Sequence, residues 1–149
     1  MPELIFKTLT ENNLEEVIDI ECLCFPTPWS KYTFKIAMED PRTLFKVAYL
    51  GEKVVGYGSI RWVLDEANLD SIGVHPNFRG KGMGDKILKA LIEECQNRGL
   101  TLLTLEVRES NESAIKLYER NGFQIVGRRD GYYTSPTETA LLMDCEIEI

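Results

Sequence analysis

Between a strand-like run and an amphipathic helix the chain reads Val74-His75-Pro76-Asn77-Phe78-Arg79-Gly80-Lys81-Gly82-Met83-Gly84. Gly80, Gly82 and Gly84 admit positive φ and let a ligand come close to the backbone. The helix that follows directs unpaired N–H groups and the positive end of its dipole at the turn. Arg79 and Lys81 add cationic charge to a chain whose 17 Lys+Arg are outnumbered by 24 Asp+Glu, a formal net charge of −7. Such a turn suits a pyrophosphate, although a glycine-rich turn with two solvated basic residues reads the same way. Two other phosphate loops do not fit. A Walker A loop needs Ser or Thr after its lysine, and Lys81 is followed by Gly82. A dinucleotide fingerprint opens the first βα unit with Gly-x-Gly-x-x-Gly, whereas these glycines are spaced Gly-x-Gly-x-Gly well into the chain.

Three further residues could do chemistry. Glu106 ends the apolar run Thr101–Val107, where a carboxylate is costly unless it has a task. Partial burial would raise its pKa and suit it as a general base, directly or through water. A salt bridge with Arg108 or a lysine is the alternative. Tyr118 falls on the core-facing side of a helix, as packing with its hydroxyl at the rim or as a proton donor. Asn111 stands where that helix must be capped.

The elements that position these residues follow from periodicity. Leu4–Leu9 reads as a strand and Glu11–Cys24 as a helix with Leu14, Val17, Ile18 and Cys22 on one face. Pro26 and Pro28 break that helix, and Ser30 can cap a second from Lys31 to Glu39. Leu44–Leu50 and Val54–Val63 form a hairpin around Gly51, and Ala67–Val74 is a further strand. Asp85–Arg98 is an amphipathic helix carrying Ile87, Leu88, Leu91, Ile92 and Cys95, closed by Gly99. Thr101–Val107 reads as a strand covered on both faces. Asn111–Arg120 is a helix stopped at Asn121-Gly122, and Phe123–Arg128 and Thr139–Ile147 are the last strands. Strand–helix–strand at this spacing puts a parallel pair inside a mixed sheet.

Length and composition set the frame. The 149 residues, 44% hydrophobic and 28% charged, fit one globular domain over 1–149. The acidic balance disfavours direct nucleic-acid binding and favours a cationic partner, an amine or a basic peptide end. No window approaches the ~20 apolar residues that a membrane span needs. Neither Cys22-x-Cys24 nor the single His75 has ordinary metal-ligand spacing. A cytoplasmic protein with reduced, mostly buried thiols and no metal is expected.

Arg79-x-x-Gly82-x-Gly84 matches the Arg/Gln-x-x-Gly-x-Gly/Ala acyl-CoA loop, and here the sequence resembles the GNAT acetyltransferase family. The resemblance covers nearly the whole chain in the order β-α-α-β-β-β-α-β-α-β-β. It implies a mixed α/β (α+β) fold: a central seven-stranded sheet, its parallel fourth and fifth strands splayed, flanked by about four helices. It further implies acetyl-CoA as co-substrate, with pyrophosphate on the backbone of Arg79, Gly80, Lys81, Gly82, Met83, Gly84 and Asp85. Pantetheine would run beside Ile72, Gly73 and Val74 as an added strand does, with Asn111 as a further contact. Three segments narrow the likeness to the RimI type, bacterial enzymes that acetylate the N-terminal alanine of a small-subunit ribosomal protein. They are Phe25–Ser30, Leu105–Phe123, and Arg128–Tyr133 followed by Glu138–Met143. The chain departs from that pattern at Thr139, where an acidic residue is usual. By this resemblance Glu106 is the general base, Tyr118 the general acid that protonates the CoA thiolate, and a backbone N–H near Val74 the carbonyl polariser. Trp29, Tyr32, Tyr132 and Tyr133 could line a slot for a peptide N-terminus, with Glu138 and Glu109 attracting a basic chain. A GNAT enzyme acting on a small amine such as a polyamine, and a catalytically silent acyl-CoA sensor, are the competing readings. Intact Glu106 and Tyr118 speak against the second.

Overall fold

Residues 3–148 are described in the computed structural model; Met1, Pro2 and Ile149, which fall inside the expected domain, lie outside the described residues. The chain runs β1 (Leu4–Lys7), α1 (Leu14–Cys24), α2 (Lys31–Glu39), β2 (Thr43–Leu50), β3 (Lys53–Val63), β4 (Glu66–Val74), α3 (Met83–Asn97), β5 (Leu102–Arg108), α4 (Glu112–Arg120), β6 (Gln124–Tyr133) and β7 (Glu138–Glu146). A 3-10 turn at Pro76–Phe78 joins β4 to the glycine turn. The strands form one seven-stranded sheet in the order β1-β2-β3-β4-β5-β7-β6. Every neighbouring pair is antiparallel except β4 and β5.

Alternation along β3 sends its residues to opposite faces. Gly56 and Gly58 face α3 so closely that a Cβ would stand 2.8 Å from Ile87 and 2.7 Å from Leu91. Tyr57, between them, joins the second core with Leu14, Val17 and Ile20 of α1 and Phe34 of α2. The α3 core continues through Leu103, Leu105 and Val107 of β5 to Tyr118 of α4. Each large buried aliphatic stabilises the fold by roughly 1.5–3 kcal/mol.

The parallel pair holds for three residues only, Glu66–Asn68 against Leu102–Thr104. Beyond them β4 stays registered with β3 as far as Val74, and β5 with β7 as far as Arg108. Each strand keeps its outer partner, so the two part and a gap opens at the centre of the sheet.

Ser30 accepts from the Thr33 N–H at 3.2 Å and starts α2 at the expected residue. Elsewhere the structure shifts the reading. The buried face of α1 is Leu14, Val17, Ile20 and Glu21, while Cys22 is exposed and Ile18 only partly buried. Of the four thiols, Cys95 and Cys145 are buried. Helix α3 begins at Met83, because Gly82 takes the left-handed conformation of a cap. Strand β6 runs on past Arg128 to Tyr133, bending through a register irregularity that absorbs Asp130 and Gly131. β5 is not covered on both faces. Leu103, Leu105 and Val107 are buried, whereas Glu106 is exposed, because α1 packs on β3 and β4 and leaves the same face of β5 open.

Candidate active site

The glycine turn leads into α3 as its sequence demands. Gly80 has φ +76° and Gly82 φ +77°, a region that a Cβ disfavours. Gly84 is different: it lies inside α3, where a Cβ would stand 3.3 Å from Leu117, so its small size lets α4 pack close. The first backbone bond of α3 is Lys86 N–H to Gly82 C=O, and no side chain caps the helix. The N–H groups of the first turn are therefore free to hold an anion. Asp85 lines this cleft, but its carboxylate faces α4. It accepts from Arg120 and Asn121, both at 3.0 Å, and the Arg120 bond holds it below the usual carboxylate range. Of the two expected cations, Arg79 lines the cleft and Lys81 does not. The exposed Lys81 lies 5.7 Å above the Phe78 ring, and the Arg79 guanidinium donates to the Val74 carbonyl at 3.1 Å and to Cys24 Sγ at 3.2 Å.

Beside it β4 presents its open edge. The His75 N–H bonds back to Val55 on β3 at 2.8 Å. Alternation then turns the N–H and C=O of Val74 towards the gap. A cleft of about 460 Å³ runs from the glycine turn along Ile72–Val74 to Asn111 and Tyr118. The Asn111 side chain caps α4 by accepting from Ala114 N–H at 3.3 Å.

A second cavity of about 500 Å³ lies on the open face of the sheet. Its walls are the Phe25–Trp29 segment after α1, the strands β4 and β5, and the end of β6. Glu106, Trp29, Tyr132 and Tyr133 all line it. Glu106 is exposed to the cavity and not partly buried as expected. Arg108, the counter-ion weighed for it, is instead paired with Glu138 at 3.4 Å and stacked 4.5 Å over the Tyr133 ring. Burial, with the Glu106 charge next in size, pushes the Tyr133 hydroxyl up to about 12.

Tyr118 lines both cavities, as do Cys24, Phe25, Ile72 and Asn111. The two cavities adjoin at these shared residues, beside the splay of β4 and β5. The Tyr118 side chain is 7% exposed, its ring packs 5.6 Å from Phe123, and burial raises its hydroxyl well above the usual range. It therefore stays protonated and can donate.

Two expected residues stand apart. Tyr32, 73% exposed on α2, lines neither cavity. Glu138 accepts from Ser110 N–H at 2.6 Å and from Arg108, so it fastens the β5–α4 loop. Glu109 is spent on Arg128. Thr139 donates to Asp130 at 3.1 Å across the β6–β7 irregularity. Sequence reasoning missed Glu21 and Cys24. Both lie on the Leu14–Val17–Glu21–Cys24 helical stripe, a signal hidden because Glu21 is charged.

Among known proteins, the family described as acetyltransferase (GNAT) matches residues 14–123. The ribosomal protein bS18-alanine N-acetyltransferase of Escherichia coli K12 is 35% identical over 144 residues, 95% of this chain and 97% of that protein. That of Haemophilus influenzae is 37% identical over 136 residues, 89% and 92% of the two chains. The crystal structure of the ribosomal-protein-S18-alanine N-acetyltransferase from Escherichia coli superimposes with a TM-score of 0.91 at 34% identity, covering 99% of this chain and 96% of that one.

Proposed function

The chain belongs to the GNAT acetyltransferase family, and on that premise we propose that it transfers an acetyl group from acetyl-CoA to the α-amine of a protein N-terminus. The acceptor we propose is the N-terminal alanine of a small-subunit ribosomal protein, as in the names of its relatives. The observation that carries this reading is that two cavities adjoin with Tyr118 in the wall of both. One has an amide cradle suited to a pyrophosphate; the other has a carboxylate and aromatic rings suited to a peptide end.

The residues present fit acetyl-CoA. Around Gly80 and Gly82 a Cβ would meet nothing within 4 Å, so the cradle has room for phosphate oxygens against the backbone. Bound there, acetyl-CoA supplies the thioester carbonyl and a thiolate leaving group. The chain supplies the rest. The Val74 N–H faces the gap and can polarise a carbonyl. Glu106, open to the acceptor cavity, takes a proton from the incoming ammonium, directly or through water. Tyr118 keeps its proton until a thiolate needs one. A peptide α-amine, with a free pKa of about 7.7–8.0 against roughly 10.4 for lysine, asks little of a solvated carboxylate. That difference supports an α-amine over a lysine side chain.

The test pairs peptides that begin with a free alanine against the same peptides blocked at the N-terminus but retaining lysines. Mass spectrometry should find acetyl groups on the free terminus only. Equal acetylation of the blocked peptides on lysine would overturn the α-amine assignment.

A further inference from the structure

We infer that Glu21 is a positioning residue for the acceptor: its carboxylate ties the Phe25–Ser30 segment, and with it one wall of the acceptor cavity, to the sheet. The inference rests on the reading of that cavity as the acceptor site.

Glu21 is 3% exposed, on the inward face of α1. A buried carboxylate is costly unless donors surround it. Here the donors are neutral. One oxygen accepts from the Tyr57 hydroxyl on β3 and from Ser71 on β4 at 3.3 Å. The other accepts from the backbone N–H of Trp29 at 2.8 Å. One carboxylate thus spans two strands of the sheet and a loop.

The loop needs such a tie. Pro26 and Pro28 end α1 and lack N–H groups, so the segment cannot secure itself through a regular ladder. An unpaired backbone N–H seeks a partner, and Trp29 finds Glu21 eight residues back. The Trp29 ring then rests 5.4 Å from Phe34 while still lining the acceptor cavity. Cys24 adds a weaker tie, its thiol donating to the Val74 carbonyl at 3.4 Å. The wall faced by Glu106, Tyr132 and Tyr133, of which the nearly buried Glu21 is itself a part, is therefore set by the bonds that Glu21 makes.

Three variants separate positioning from mere stability. Glu21→Leu fills the space but removes both acceptors. Glu21→Gln restores them in part: its carbonyl can accept from Trp29 while its NH2 donates to the Tyr57 and Ser71 hydroxyls, which also accept. Tyr57→Phe removes a donor on the sheet side and spares the Trp29 bond. Steady-state kinetics should show KM for an alanine-initiated peptide rising about tenfold to a hundredfold in Glu21→Leu, the range for losing a bond to a charged group. KM for acetyl-CoA should barely move, and Glu21→Gln should recover most of the loss. Tyr57→Phe, with Ser71 still on the same oxygen, should lower Tm and raise KM for the peptide less than Glu21→Leu does. In a Trp62→Phe background the Trp29 emission should shift red in Glu21→Leu only. Equal rises in both KM values, or a Glu21→Leu enzyme with unchanged peptide KM, overturns the proposal. If Glu21→Leu does not fold, hydrogen exchange on the wild type decides: a protected Trp29 amide supports the tie, and one exchanging like an open loop overturns it. A wild-type enzyme that ignores peptides would sink the acceptor reading alone, since the Trp29 emission and exchange still report on Glu21.

Discussion

At Gly82 backbone strain and ligand approach bear on the same atom, and substitution can separate them. The residue sits at φ +77°, ψ 12° as the cap of α3. An L residue there costs roughly 1–2 kcal/mol. A Cβ would meet nothing within 4 Å, so in the free protein that strain is the whole cost. For a domain of this size each kcal/mol moves Tm by about 2–4 °C, so Gly82→Ala should melt about 2–8 °C lower. Gly51, in the β2–β3 turn, makes a matched control, with φ +65° and likewise open space for a Cβ. Gly51→Ala should therefore destabilise to a similar degree. The two part company on CoA. In the proposed CoA site, the new methyl at Gly82 would crowd phosphate oxygens held by the first N–H groups of α3. Losing one bond to a charged group weakens binding about tenfold to a hundredfold. Gly82→Val, with a β-branched side chain, should abolish binding with the far-UV spectrum preserved. The assay is calorimetric titration with CoA, run beside thermal melts of both alanine variants. If Gly82→Ala binds CoA as well as Gly51→Ala does, the cradle has been misplaced.

Two further substitutions address the proton transfers. Tyr118→Phe keeps the ring against Phe123 and removes only the hydroxyl; kcat should fall by about 10²-fold or more with KM for acetyl-CoA little changed. A variant with wild-type kcat would leave Tyr118 as packing. Glu106→Gln should be most damaging at low pH, where nearly all of the peptide amine is protonated and must be relieved of its proton. Its deficit should shrink as pH rises through the amine's pKa of about 7.7–8.0, and a deficit constant across a pH–rate series would remove Glu106 as the base.

What was legible in the sequence was what local chemistry decides. Ser30 and Asn111 announce their helices because a cap bonds an N–H only three residues on. The glycine turn is legible for the same reason, since positive φ is a property of single residues. The splay between β4 and β5 could be expected only through family resemblance. It arises because each strand keeps its outer partner, a choice made in tertiary structure.

The candidate residues divide along the same line. Glu106 and Tyr118 stand out by position, yet Glu106 is exposed where the apolar run predicts partial burial. An apolar run predicts burial of its neighbours only if both faces are covered, and on this face α1 stops at β4. The charge of Lys81 and Arg79 suits an anion, and in the structure Lys81 rests over Phe78 while Arg79, lining the cleft, donates to Val74 and Cys24. Glu21 was passed over for the converse reason: in a hydrophobic pattern a carboxylate counts against burial. Its burial becomes intelligible only once Tyr57, Ser71 and the Trp29 N–H converge on it from three separate elements. A charged residue falling in register with an apolar helical stripe is therefore evidence of donors not yet located in the chain. In this fold two of those donors, Ser71 and Trp29, line the cavity that also holds Glu106.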